Sequence, residues 1–183
     1  MTLRNTLRAA TRQDHERVDQ LGGAFDLTRP ADYQAFLQAH AAVLPRVEDA
    51  LSSAPPEDLP PAWPQRRRTA ALAADLSALG LAAPATASPL TISDRATRLG
   101  ALYVLEGSRL GGVVLRRRLA AAQPEAPDAY LAHGADQPFW RSFLDWLDSQ
   151  TLDGPETEAA IAGARQVFGA FETAFKIEAA PVR

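Results

Sequence analysis

Leu102-Tyr-Val-Leu-Glu-Gly-Ser-Arg-Leu-Gly-Gly-Val-Val-Leu115 is the stretch on which the fold turns, an apolar helical pattern broken by glycines at 107, 111 and 112. Outward from it, the pattern predicts one long helix from Ser93 to Ala122. Ser93 serves as N-cap, Asp94 lies in the first turn and Arg116-Arg117-Arg118 lie in the last turns. Gly100 adds a fourth interior glycine. At ~1 kcal/mol each against alanine, the four give up roughly 3–4 kcal/mol of helix stability. Alanine is abundant elsewhere in the chain, so this segment needs bare backbone or a bend, and a flat ligand lying against the helix is one reason for it.

The remaining segments also carry helical period. Thr2 caps a first helix with Leu3, Leu7, Ala10, Val18 and Leu21 on its apolar side, closed by Gly22-Gly23. A second begins near Pro30 and runs through Tyr33, Phe36, His40, Leu44, Val47 and Leu51, with Pro45 bending it. Residues 52–64 are proline-rich and read as a surface loop. Arg66 to Leu79 reads as a shorter helix stopped by Gly80. Asp136 caps a helix carrying Phe139, Trp140, Phe143, Leu144 and Leu147. The last helix follows Gly154-Pro155 and presents Ile161, Ala164, Phe168, Phe171 and Phe175 on one side. No segment alternates with period two. The expected fold is all-α, a single domain over residues 1–183 built as an irregular helical bundle, with 179–183 a disordered tail.

Composition narrows the function classes. With 183 residues and 46% hydrophobic content the chain can bury a full core. It has no cysteine, which excludes disulfides, thiolate metal sites and covalent c-type heme attachment. A net charge of −3 argues against a nucleic-acid partner. No stretch approaches ~20 uninterrupted apolar residues, and Met1-Thr-Leu-Arg-Asn-Thr6 lacks a signal-peptide core. The expectation is a cytoplasmic protein without a membrane partner.

The chain has three histidines, so each can be weighed. His40 falls in an apolar stripe and reads as a core histidine with one satisfied nitrogen. His133 sits in a Gly/Ala loop and reads as solvated. His15 lies about a quarter turn off the apolar stripe of the first helix, at the border between core and cleft, where a neutral imidazole can bind a metal. Arg8, seven residues earlier, falls on the same face ~10.5 Å away along a continuous helix. A ligand and a cation at that separation suit the iron and one peripheral carboxylate of a porphyrin; the alternative is that Arg8 pairs with a surface acid. Gly107-x-x-x-Gly111 resembles a membrane-helix dimer motif, but Arg95, Arg98, Glu106 and Arg109 around it exclude a bilayer. Asp14, Glu16 and Asp19 read as a solvated face. Arg66–Arg68 and Arg116–Arg118 read as solvated helix ends that, if they converge, could dock an acidic electron-transfer partner.

Together, Leu7-Arg-Ala-Ala-Thr-Arg-Gln-Asp-His15 and Leu105-Glu-Gly-Ser-Arg-Leu-Gly-Gly112 resemble the proximal and distal helices of heme oxygenase. The Tyr-Val-Leu-Glu-Gly-Ser variant is most similar to its bacterial, bacteriophytochrome-associated branch. The resemblance implies heme b, as substrate and cofactor, held between a proximal and a glycine-kinked distal helix. His15 would be the axial iron ligand and Arg8 a propionate partner. Gly107, Ser108, Gly111 and Gly112 would form the catalytic distal wall. Tyr103 and Arg141 would reach propionates, Phe168 would pack on the macrocycle, and Gln137 stands where many members have a lysine. Ser108 departs from the family pattern, in which an aspartate organises distal water. A serine hydroxyl donates a hydrogen bond but carries no charge.

The activity implied is ring opening of heme by O2 to biliverdin, CO and ferrous iron, with electrons from a ferredoxin or reductase as redox partner. The site of cleavage would depend on the rotation of the heme set by its propionate contacts. The product would supply a bacteriophytochrome or release iron. A non-catalytic heme-binding protein on the same fold, for storage, transfer or sensing, is the alternative that Ser108 favours. A helical module that has lost heme, or a bundle enzyme for another small aromatic ligand, fits the His15–Arg8 pair less well.

Overall fold

The computed structural model describes residues 2–84 and 90–179; the expected tail from 180 onward lies outside them. Nine α-helices and no strand occur among the described residues: α1 Leu3–Ala10, α2 Arg12–Gly22, α3 Pro30–Ser52, α4 Trp63–Arg66, α5 Thr69–Ala78, α6 Arg95–Ala122, α7 Ala129–Ala132, α8 Phe139–Asp148 and α9 Gly154–Glu178. One hydrophobic cluster takes side chains from Leu7 in α1 through Leu44 and Leu102 to Phe175 in α9. The long helices α6 and α9 form the centre, and α1, α2 and α3 also pack on α9. No helix of the described residues is long and apolar enough to cross a membrane.

Several boundaries differ from the sequence reading, each for a local reason. The first helix is two, broken at Thr11. That buried hydroxyl donates to the Leu7 carbonyl at 2.8 Å, and Arg165 from α9 donates to the Ala10 carbonyl at 3.0 Å. A threonine that competes for an i−4 carbonyl bends a helix, and the arginine satisfies the oxygen left over. The Arg8–His15 spacing of a continuous helix therefore does not apply. The cap of α6 is Asp94, not Ser93; its carboxylate accepts the Thr97 N–H at 2.8 Å. The chain enters α8 through Pro138, so Asp136 does not cap it. α9 carries a full capping box, Asp153 with Glu156. Residues 52–64 are not wholly superficial. Trp63 is buried with its indole donating to Ser52 Oγ at 3.1 Å, and Asp58 pairs with Arg98 of α6 at 2.5 Å.

The expected Arg66–Leu79 helix is interrupted at Arg67 and Arg68, where a buried carboxylate from α3 replaces a local cap. Glu48 accepts the N–H groups of Arg68 and Thr69, at 2.7 and 3.1 Å, and the Thr69 hydroxyl. Asp75 of α5 does the same for α7, accepting Ala129 and Tyr130 N–H at 3.0 and 2.8 Å. These two carboxylates tie α5 to α3 and α7 to α5, and α7 in turn packs on α6.

His40 is the core histidine expected. Its Nδ1 bonds the Phe36 carbonyl at 2.8 Å, and Phe36, Tyr130, Phe171 and Phe175 surround the ring. Burial lowers its pKa from 6.5 to about 4; the Phe36 carbonyl opposes the shift and the Arg68 cation adds to it. Between those values the unfolded chain holds a proton that the native ring refuses, so stability falls as pH drops through this window. The loss amounts to up to about 3 kcal/mol. Unfolding measured against pH should show this slope in wild type and a flatter one in His40→Gln. An unchanged slope assigns the acid sensitivity elsewhere.

Candidate functional site

On the proximal side, His15 lies in the middle of α2 with its side chain 60% exposed. Its Nδ1 is 3.0 Å from Asp19 Oδ2, one turn on. Its ring meets the buried Phe168 of α9 edge-on, centroids 5.9 Å apart. Asp19 is thus more than part of a solvated face. A carboxylate on one imidazole nitrogen fixes the tautomer and leaves Nε2 as the free donor for a metal. Among the described residues no group of three histidine or carboxylate side chains could hold a metal ion. A lone oriented imidazole suits a metal that brings its other ligands with it.

Arg8 is exposed on α1 and has no carboxylate partner among the described residues, so the surface-pair alternative is not what the structure shows. It lies instead near Tyr103 of α6. Burial raises the pKa of that phenol, and the Arg8 and Arg4 cations counter part of the rise. This brings the α1 cations to the distal helix.

On α6, Tyr103, Gly107 and Gly111 share one side at successive turns. A Cβ at Gly111 would meet nothing within 4 Å, and one at Gly107 would come no nearer than 3.9 Å to the Trp140 ring of α8. Leu110 and Val114 flank this bare strip and are 53% and 49% exposed. Gly112 is turned toward α7, its Cβ position 3.9 Å from the Leu131 carbonyl. Gly100 has a different reason for being glycine. A Cβ there would collide with the Ala160 carbonyl of α9, and the reciprocal Gly163 would collide with the Thr97 carbonyl of α6. This pair serves the helix crossing, not a ligand.

Ser108 is exposed and already committed. Its hydroxyl donates to the Leu105 carbonyl at 2.7 Å and accepts from Arg68 Nη2 at 3.0 Å. Arg68 also donates to Leu105 O at 2.9 Å and keeps a buried Nε without a protein acceptor. The solvated reading of Arg66–Arg68 is therefore wrong for two of the three. Arg66 and Arg68 are buried, while Arg67 pairs with Asp49 at 2.7 Å. They cannot converge with Arg116–Arg118, which are exposed, Arg116 pairing with Asp128 at 2.7 Å. The cause lies in Glu106, buried in the middle of α6, which pairs with the Arg66 guanidinium at 2.7 Å, and in Glu48 and the Leu105 carbonyl, which accept the Arg68 backbone N–H at 2.7 Å and its guanidinium at 2.9 Å. A carboxylate directly after the apolar run 101–105, at Glu106, was the available signal. His133 is half-buried beside Arg109, and burial first, then that cation, lowers its pKa, so it is not the solvated residue expected.

Arg141 is exposed in the first turn of α8, again without a carboxylate partner among the described residues, and Gln137 is exposed in the turn before it. One oriented imidazole, two unpaired arginines and an apolar strip with bare backbone together fit a flat apolar macrocycle that carries carboxylates and its own metal.

A helical heme-binding protein is the class that this fold and site define. Comparison with known proteins agrees: the family model described as heme oxygenase matches residues 1–177. The chain is 36% identical over 152 residues to a heme oxygenase of Xanthomonas campestris pv. campestris, covering 81% of this chain and 92% of that protein. It is 32% identical over 117 residues to heme oxygenase PigA of Pseudomonas aeruginosa, covering 61% of this chain and 59% of that protein. The NO- and CO-bound heme oxygenase of Neisseria meningitidis superposes with a TM-score of 0.86 at 25% identity, over 100% of this chain and 96% of that one. The chain belongs to the heme oxygenase family, and heme is the substrate that membership implies.

Proposed function

We propose that residues 1–183 form one heme-oxygenase domain that opens heme to biliverdin, CO and ferrous iron, with the macrocycle lying between α2 and the Gly107–Gly111 strip of α6. The observation that carries this reading is the imidazole of His15, held by Asp19 at 3.0 Å and packed edge-on against Phe168 of α9. His15 Nε2 would hold the iron, Arg8 and Arg141 would pair with the propionates, and Tyr103, Gln137 and Phe168 would pack around the macrocycle. When bound, heme supplies the iron that binds oxygen and the ring carbon that is cut. Gly107, Gly111 and Gly112 would leave bare backbone against the bound macrocycle, with Gly111 meeting no atom of the protein.

Because the Ser108 proton points to Leu105 O, Arg68 is the stronger donor near the distal helix. Its guanidinium donates hydrogen bonds and accepts none. The protons consumed in turnover then come through water. Electrons come from a ferredoxin or reductase in the cytoplasm. Bilin supply to a bacteriophytochrome and iron release are both served by these products.

Asp19→Ala should lower hemin affinity by about 10–100-fold and lower the iron–histidine stretching frequency of the ferrous complex. An unchanged frequency removes Asp19 from the proximal site. The overall test is a hemin titration of the purified protein followed by a ferredoxin/reductase pair in air. A one-to-one Soret complex that bleaches to biliverdin supports the enzyme. A complex that persists favours the non-catalytic binder, for which the committed Ser108 hydroxyl is the structural argument. No complex overturns both.

A further inference from the structure

Glu106 is buried one residue before Gly107, with 1% of its side chain exposed. It accepts from Arg66 Nη1 at 2.7 Å and from Arg109 Nε and Nη2, both at 3.1 Å. Arg66 spends its remaining donors on α8 and the turn before α4: Phe139 O at 3.0 Å, Ser142 Oγ at 2.7 Å and Pro61 O at 2.7 Å. Arg109 reaches back to the Arg66 carbonyl and to His133. The two guanidinium carbons lie 4.8 and 5.0 Å from the Phe139 ring. Gly134 lets that ring in; a Cβ there would come within 2.7 Å of it, and its φ is +74°.

A buried ion set of this kind is weak as a source of stability, because desolvation offsets the Coulombic gain, and it is better understood as a device for register. Here the register is specific. Through Arg66 the network ties Glu106, on the turn of α6 that ends at Gly107, to Phe139 O and Ser142 Oγ in the first turn of α8, which reads Phe139-Trp140-Arg141. Trp140 lies 3.9 Å from the Gly107 Cβ position, so a shift of α8 moves the Arg141 cation relative to the bare strip.

We propose that Arg66, Glu106 and Arg109 are positioning residues that register α8 on the distal helix and thereby set how the macrocycle is rotated in the cleft, and so which meso carbon is opened. The inference rests on the function proposed above. A charged triad holds that register where apolar packing would let α8 slide, since each guanidinium bond is directional.

Glu106→Gln keeps the shape and one acceptor while removing the charge, and it is compared with wild type and with Ser142→Ala. Three readouts are taken: hemin affinity, the heme-methyl proton pattern of the low-spin ferric cyanide complex, and the biliverdin isomer ratio. Glu106→Gln should bind hemin within about tenfold of wild type. Its methyl pattern should show a second seating, and the isomer ratio should shift by about tenfold, the effect of about 1.4 kcal/mol in seating energy. Ser142→Ala, which removes one Arg66 anchor, should shift both in the same direction by less. A folded Glu106→Gln with the wild-type methyl pattern and isomer ratio overturns the proposal, even if its melting temperature falls. If Glu106→Gln does not fold, Ser142→Ala decides by the same two readouts. Wild-type protein that takes no hemin defeats the functional reading itself, whereas normal wild-type turnover with unmoved variants defeats only the positioning role.

Discussion

Gly111→Leu should fold at least as well as wild type and open heme about a hundredfold more slowly, the scale expected when a reacting group is displaced by roughly 1 Å. The two halves of this result have one cause. A Cβ at position 111 meets no atom of the protein, so the core does not register the change. Replacing an exposed helix-interior glycine with leucine should add about 0.5–1 kcal/mol of stability. The same side chain fills the volume that the bare backbone leaves beside Gly107, where bound oxygen must lie in the proposed mechanism. Thermal unfolding and biliverdin formation, measured on one preparation, should move in opposite directions. Normal turnover would sink the steric account of the distal glycines.

Gly100→Ala should do the reverse, costing at least about 3 kcal/mol, above the usual range for an added methylene. The atoms in the way are backbone: the Ala160 carbonyl, with the Ala164 N–H nitrogen at 2.7 Å and the Ala160 carbonyl carbon at 2.9 Å. No rotamer change relieves a main-chain collision, so α6 and α9 must move apart along their crossing. For a chain of this size the loss corresponds to about 10 °C in melting temperature. Gly163→Ala strains the same crossing from the other side. The double variant should therefore cost clearly less than the sum of the singles, because one separation accommodates both methyl groups. Additive losses would show that the glycines act independently.

These two glycines mark the limit of what could be read from the chain alone. Gly100, Gly107, Gly111 and Gly112 stand in one helical pattern, and nothing in that pattern separates them. The α6 helix, its length and its need for bare backbone were legible because helical period and glycine cost are local quantities. That Gly100 serves the helix crossing was not legible, because its true neighbour, Ala160, is sixty residues away in the chain. Thr11 shows the same limit at short range: its hydroxyl competes for the Leu7 carbonyl, which an apolar stripe does not record.

His15, Arg8 and the distal glycines were found as residue types at spacings that suit a porphyrin, and the family resemblance rests on the same letters. Asp19 was passed over as one more acid on a polar face; the turn of helix that brings it 3.0 Å from His15 is local, but the reason to single it out is not. The arginines at 66, 68 and 109 were further out of reach. A run of arginines reads as solvated since isolated guanidinium groups are costly to bury, and that default fails where buried carboxylates meet them. Glu106 is such a carboxylate for Arg66 and Arg109, whereas the Arg68 guanidinium is met by the Leu105 carbonyl and the Ser108 hydroxyl. Helix type and core stripe follow from periodicity and side-chain chemistry along the chain, and the family from its resemblance in the two motifs. Which glycine serves packing, which arginine goes inside and how α8 registers on α6 follow from contacts between distant segments, whose energies exist only once the backbone has brought them together.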